Sequence, residues 1–187
     1  MGWLIAGVIV WSGVHLFPGL ASGPRQALIA KLGRNPYRGL FSLLILGALA
    51  MIVFGWRSTA PAAVYAPPLA AGPVPAALVF LAFVLFFAAR APTNIKRLVR
   101  HPQLTGVLVW AVAHLLTNGS DRDLVLFGGL GLWSVVEILA CNRRDGSWTK
   151  PAPARHFGDA VVVIIGAVIY AIVLYFHGRL FGVSPLA

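Results

Sequence analysis

Six apolar runs of near-membrane length divide this chain, at residues 3–21, 39–56, 74–89, 103–118, 124–141 and 158–177. About twenty apolar residues in a helix cover the ~30 Å hydrocarbon core of a bilayer. None of the runs shows the period-two alternation of a membrane β-barrel. The helix is the remaining structure that satisfies its own backbone in lipid. The pattern therefore predicts an all-α fold, a polytopic membrane helix bundle of six transmembrane helices, with residues 1–187 forming a single transmembrane domain. The stretch with Pro61, Pro67, Pro68, Gly72, Pro73 and Pro75 reads as an extended connection between the second and third spans.

Composition agrees with the pattern. The chain is 59% hydrophobic and 11% charged, with a mean hydropathy of +0.84, well outside the range of soluble domains. A net charge of +10 would suggest nucleic acid in a soluble protein, but here the charges fall between the spans, so no nucleic-acid partner is expected. Arg25, Lys31, Arg34 and Arg38, then Arg90, Lys96, Arg97 and Arg100, then Arg143, Arg144, Lys150 and Arg155 place twelve of the fifteen positive charges on one side. By the positive-inside rule that side is cytoplasmic and both termini lie outside. The apolar run starts at Trp3 with no basic residue before it, so a cleaved signal peptide is not expected. Cys141 is the sole cysteine, which excludes an intrachain disulfide and a Cys-rich metal site.

Titratable side chains inside apolar spans are costly and mark candidate sites. His15 and His114 both stand in Trp-x-x-x-His-Leu, following Trp11 in the first span and Trp110 in the fourth. Each tryptophan thus lies one turn before its histidine on the same helix face. Gly13 and Ala111 are among the small residues in the gaps, which let a flat macrocycle or another helix approach closely. Along their spans each histidine lies ~5 Å from the midpoint, toward opposite sides, an offset that ordinary helix tilt and a shift of about two or three residues in the span boundaries would close. Two readings stay open on spacing alone: a shared metal or haem ligated by both imidazoles, or two histidines that each hydrogen-bond a neighbouring helix.

His101 is separated from His114 by about 140° and ~20 Å on a continuous helix, too far to share an iron. Pro102 suits a first helical turn and places His101 at the basic edge with Arg97 and Arg100, a possible anion or lipid-headgroup site or simply an interface. His156 and His177 read as interfacial. Glu137 is the one carboxylate well inside a span and is expected to be protonated or paired, with Arg143, Arg144 or Arg100 within reach for a buried ion pair and a proton relay as the other reading. Gly128, Gly129 and Gly131 read as tight helix packing. No phosphate loop, zinc spacing or hydrolase elbow occurs.

Taken together, Gly13-Val14-His15, Gly19-Leu20-Ala21-Ser22, Arg25, Tyr37-Arg38, Arg100-His101-Pro102, Gly106, Trp110 and Ala113-His114 resemble the NnrU family and, more distantly, the plant zeta-carotene isomerases, which contain a domain of that type. The resemblance implies a multi-pass protein of the bacterial inner membrane, linked to denitrification, nitrite or nitric oxide reduction or related redox chemistry, carrying haem b between histidines that match His15 and His114. Trp11, Gly13, Trp110 and Ala111 would then line the cofactor. The isomerases carry a cysteine where this chain has Ala111, so carotenoid isomerisation does not carry over, and whether the chain is an enzyme stays open.

Arg100-His101-Pro102 with Gly106 also resembles a motif of isoprenylcysteine and phospholipid-type membrane methyltransferases, which implies S-adenosylmethionine as an alternative. There Leu104 replaces the usual tyrosine. A third reading is a non-catalytic assembly partner of a respiratory or nitric oxide reductase complex. All three place the chain in a lipid bilayer.

Overall fold

Apolar composition sets where this chain is helical, and proline, glycine and capping side chains set where each helix stops. The computed structural model describes residues 1–69, 72–183 and 185. In chain order it contains α1 (Gly2–Leu20), α2 (Ser22–Leu32), α3 (Arg34–Ser58), α4 (Pro73–Ala88), α5 (Pro102–Leu115), α6 (Asp121–Asp123), α7 (Gly129–Asp145) and α8 (His156–Phe181). A 3-10 turn, Asn94–Arg97, precedes α5. A π-helical stretch, Leu124–Gly128, joins α6 to α7, so that Asp121–Asp145 runs as one 25-residue helix. Among the described residues the fold is all-α, with one isolated bridge between Ala63 and Ser120.

Among the described residues four helices are long and apolar enough to cross a membrane: Gly2–Leu20, Arg34–Ser58, Asp121–Asp145 and His156–Phe181. They correspond to the first, second, fifth and sixth apolar runs. α4 and α5, the third and fourth, are apolar but only 16 and 14 residues long, about 24 and 21 Å. The exposed side chains point to lipid: Ile9, Leu43, Phe54, Leu132 and Ile164 are all largely uncovered. In the apolar window of α8 only 11% of residues are buried. A helix apolar all round and little covered by protein is the pattern of a membrane segment.

The connection between the first two runs, a loop on the sequence reading, is helix α2. Gly33, at φ 85°, turns the chain into α3, which already contains Arg34 and Arg38. Gln26 to Leu32 are mostly good helix formers, and hydropathy does not register a short helix of mixed polarity. The fifth run likewise begins earlier than hydropathy places it. Ser120 and Asp123 form a reciprocal capping box that starts the helix at Asp121.

The chain folds as two compact units. One comprises Met1–Tyr65 and Gly119–Gly146, the other Ala66–Asn118 and Ser147–Ala187.

In the first unit α1 packs antiparallel on α3 and parallel to α7, around a core of Leu4, Val8 and Ile52. Close approach of backbones is what allows it. A Cβ placed on Gly7 would lie 2.8 Å from Ile52, one on Gly55 would overlap the Leu4 backbone, and one on Gly129 would lie 2.7 Å from Val8. The last of these belongs to the glycine cluster read from the sequence as packing. Polar groups close the end of α3. Arg122 donates through Nη1 to the Thr59 and Trp56 carbonyls at 3.1 and 3.4 Å, and its guanidinium lies 4.2 Å from the Trp56 ring centroid.

In the second unit α4 packs against both α5 and α8. A Cβ on Gly106 would come within 2.8 Å of the Ala82 carbonyl and one on Gly166 within 3.0 Å of Val84. Val84, Ala88 and Val162 form the core, and Tyr170 packs edge-on against Phe80 and Phe83. A polar clip fixes the start of α8. The Asp159 carboxylate accepts from the Thr93 hydroxyl, from the Asn94 backbone N–H at 2.7 Å and from the Asn94 side-chain amide at 2.7 Å. Asn94 also exchanges hydrogen bonds with the Ala154 backbone at 2.9 and 3.0 Å.

Gly55→Ala is expected to destabilise the detergent-solubilised protein by about 1–3 kcal/mol, the usual cost of overpacking a tight contact. Gly13→Ala, where an added Cβ meets nothing within 4 Å, is expected to leave the thermal unfolding midpoint unchanged. Equal effects of the two in a thermal melt would contradict this packing.

Candidate functional site

The two Trp-x-x-x-His segments build the same local device. In α1 the Nδ1 of His15 lies 2.9 Å from the carbonyl oxygen of Trp11, and in α5 the Nδ1 of His114 lies 2.8 Å from that of Trp110. A carbonyl can only accept, so each Nδ1 carries the proton, and in the neutral form of such a ring the lone pair lies on Nε2. The geometry follows from the helix, because residue i−4 lies directly beneath residue i and a side chain leans back toward it. Each imidazole also packs on its tryptophan. The ring centroids are 4.5 Å apart for Trp11 and His15 and 5.0 Å apart for Trp110 and His114.

His15 is half-buried among aromatic rings. Trp133 of α7 lies 5.1 Å away and Phe41 of α3 5.8 Å away, with Trp11 and Trp133 edge-on to each other at 6.0 Å. Glu137, one turn after Trp133, is within electrostatic reach of His15. Its Oε1 faces the Cys141 thiol at 3.7 Å. Three buried polar atoms in this neighbourhood have no hydrogen-bond partner: the indole Nε1 of Trp11, the indole Nε1 of Trp133 and the Oε2 of Glu137. Buried polar groups are ordinarily satisfied, and leaving one bare costs about 1–3 kcal/mol. Two donors and one acceptor thus lie buried and unpartnered beside an imidazole.

His114 is also half-buried, and it occupies the last turn of α5. The helix ends sooner than the apolar run, because Thr117 and Asn118 turn their side chains back onto its final carbonyls. The Asn118 amide donates to the His114 carbonyl at 2.9 Å and the Thr117 hydroxyl to that of Ala113 at 3.2 Å. His114 therefore stands at the end of a short helix. Ala111 is buried, its methyl already covered by protein, whereas Gly13 on α1 is exposed and open.

The other candidates separate. His101 is the N-cap of α5, and Pro102 opens that helix. Arg97 ends the preceding 3-10 turn, its Nε buried without a partner. The ion pair expected between Glu137 and Arg143 is not among the described ion pairs, which are Arg144 with Asp145 and His156 with Asp159. Arg143 is exposed, and Glu137 instead meets a thiol, an indole and an imidazole. Trp133 and Phe41 were not legible as site residues. Trp133 carries a signal in retrospect, since Trp133, Glu137 and Cys141 recur every four residues and share one face of α7. Phe41 has none, since it is one apolar residue among many in its span.

Among the described residues no three His, Cys, Asp or Glu side chains converge in a way that could hold a bare metal ion. A sequence profile of one protein family, described as NnrU protein, matches residues 3–185. No curated protein and no solved structure matches the chain.

In protein with 15N-labelled histidine, held near pH 9 where imidazole is ordinarily neutral, the ring-nitrogen signals of His15 and His114 are expected to report a protonated Nδ1. Signals of the opposite tautomer would show that the tryptophan carbonyls do not set the ring state.

Proposed function

Since this chain belongs to the NnrU protein family, we propose that it is an integral membrane protein carrying haem b, which His15 and His114 would hold, linked to nitrite or nitric oxide reduction or related redox chemistry. The observation that carries this reading is the repeated Nδ1–H contact to the tryptophan carbonyl. Histidines that ligate metals through Nε2 almost always donate their other ring N–H in this way, which fixes the ring and raises its basicity as a ligand. The pairing of the two histidines rests on their sequence positions and on the family resemblance.

The residues around His15 fit the group in their chemistry. Trp11, Trp133 and Phe41 present the aromatic surface against which a flat macrocycle packs. The unpartnered indole N–H groups and the Glu137 oxygen provide polar contacts that no part of this neighbourhood uses. Bound haem would supply one-electron redox chemistry, and the polarity around its ligands would tune the potential. The chain's own residues hold the imidazoles in one tautomer, keep water away through the aromatic walls, and place a carboxyl beside one ligand. A group held by two histidines would suit electron transfer or sensing better than chemistry on a bound substrate.

No observation favours the methyltransferase reading, because Glu137 is the single glutamate in the chain and cannot belong to a glutamate pair. The proposed setting is the bacterial inner membrane beside a respiratory or nitric oxide reductase complex. α4 and α5 would serve as short third and fourth spans, with both termini outside.

Protein purified in detergent from haem-replete cells is expected to show the reduced-minus-oxidised spectrum of a low-spin b-type haem. His15→Ala and His114→Ala should each abolish the low-spin signature. A colourless preparation would remove the haem reading. For the orientation, a cysteine introduced at Val64 in a Cys141→Ala background is expected to react with a membrane-impermeant maleimide from outside intact cells, and one at Lys31 only after lysis. The reverse pattern would invert the topology.

A further inference from the structure

At the corner between α2 and α3 the first unit holds a cavity of about 500 Å³ lined by Arg25, Gln26, Ile29, Ala30, Arg34, Tyr37 and Arg38. Arg25 and Ile29, one turn apart, come from one face of α2, and Arg34, Tyr37 and Arg38 from the first turns of α3, with Gly33 making the corner between them. No acidic residue lines it, and none of the three arginines is in an ion pair among the described residues. The backbone adds to the same charge. α3 begins here with no acidic residue in its first turn, so the positive end of the helix dipole sits with cations where anions are normally favoured.

Two of the residues that line this cavity carry a buried, unpartnered side-chain atom, the Tyr37 hydroxyl and the Arg25 Nε. Tyr37 itself is 92% buried, with 8% of its surface exposed. The Arg25 guanidinium lies 5.8 Å from the Tyr37 ring centroid. Three cations, a helix N-terminus and a phenolic donor surround one hollow, and Ile29 and Ala30 give it an apolar wall. Guanidinium groups match the oxygens of phosphate in pairs.

We propose that this cavity binds the phosphate of an anionic phosphate ester, the arginines holding the phosphate, the Tyr37 hydroxyl donating to it, and the apolar wall receiving its organic part. The source is either the headgroup of an anionic phospholipid or a water-soluble phosphate ester. No histidine is among the lining residues, and the proposal does not depend on haem.

The test titrates the full-length, detergent-solubilised protein with short-chain phosphatidylglycerol, with short-chain phosphatidylcholine as the blank, and in separate arms with glycerol 3-phosphate and inorganic phosphate. Binding is read by thermal shift and calorimetry. Arg25→Gln is expected to weaken binding about tenfold, the worth of one charge-assisted contact. Tyr37→Phe should weaken it while leaving the unliganded melting point unchanged or higher, because it deletes a buried hydroxyl that lacks a partner. Arg179→Gln, remote in sequence on α8, should change nothing. Saturable binding of phosphatidylglycerol alone assigns a lipid headgroup, and binding of glycerol 3-phosphate or phosphate as well assigns a soluble ester. Equal binding of phosphatidylcholine, no binding in any arm, or affinity unchanged in both Arg25→Gln and Tyr37→Phe overturns the proposal.

Discussion

Helices whose apolar side chains face outward cannot be held together by withdrawing those side chains from water. Leu43, Phe54, Leu132 and Ile164 lie uncovered on the spanning helices, and in lipid that exposure costs little. What remains is close contact between helices. Gly7 and Gly55 let α1 and α3 approach backbone to backbone, Gly129 admits Val8 of α1, and Gly106 and Gly166 seat α5 and α8 on α4. Each small residue exchanges its own packing area for proximity, and the short-range dispersion that proximity brings is the force available. The positions of the functional side chains follow, because α1 is fixed against α3 and α7 by these contacts and brings Trp11 and His15 to Phe41 and Trp133.

The same solvent makes every unpaired polar group conspicuous. Most are handled locally. Arg122 and the Thr59 hydroxyl, which donates to the Gly55 carbonyl at 2.7 Å, close the end of α3. Asn118 and Thr117 close the end of α5, and Asp159 collects three donors at the start of α8. Besides the Arg122 Nε, the exceptions in the first unit fall in two groups: the indoles and carboxyl around His15, and the phenol and guanidinium of the α2–α3 corner. The first group lies near an imidazole and the second among cations. Their different chemistry is why a metal-bearing macrocycle is proposed for one and a phosphate for the other.

Hydropathy made the four long spans legible because lipid imposes one rule along a whole helix. The Trp-x-x-x-His spacing made the pairing of each imidazole with its tryptophan legible because i−4 contact is built into helical geometry. α2 was hidden because a short polar helix and a polar loop have the same hydropathy, and Phe41 and Trp133 were hidden because contact across helices depends on register. Glu137 shows the limit most sharply. Sequence proximity suggested Arg143, but helix direction turns that arginine outward and turns Glu137 toward Trp133 and His15.

The repeated histidine device also constrains the kind of chemistry the chain can support. A backbone carbonyl that accepts the Nδ1 proton is itself engaged in the helix and cannot readily swing away, so the imidazole is oriented by the main chain and not by a mobile carboxylate. If the imidazoles hold haem as proposed, rigid orientation would suit electron transfer better than a role in which one of them departs to admit a substrate. A carboxylate as acceptor would make the imidazole more strongly electron-donating than a neutral carbonyl does. The chain places the Glu137 carboxyl near His15 and leaves both Nδ1 positions to carbonyls. A polar group thus stands beside one imidazole without being hydrogen-bonded to its Nδ1.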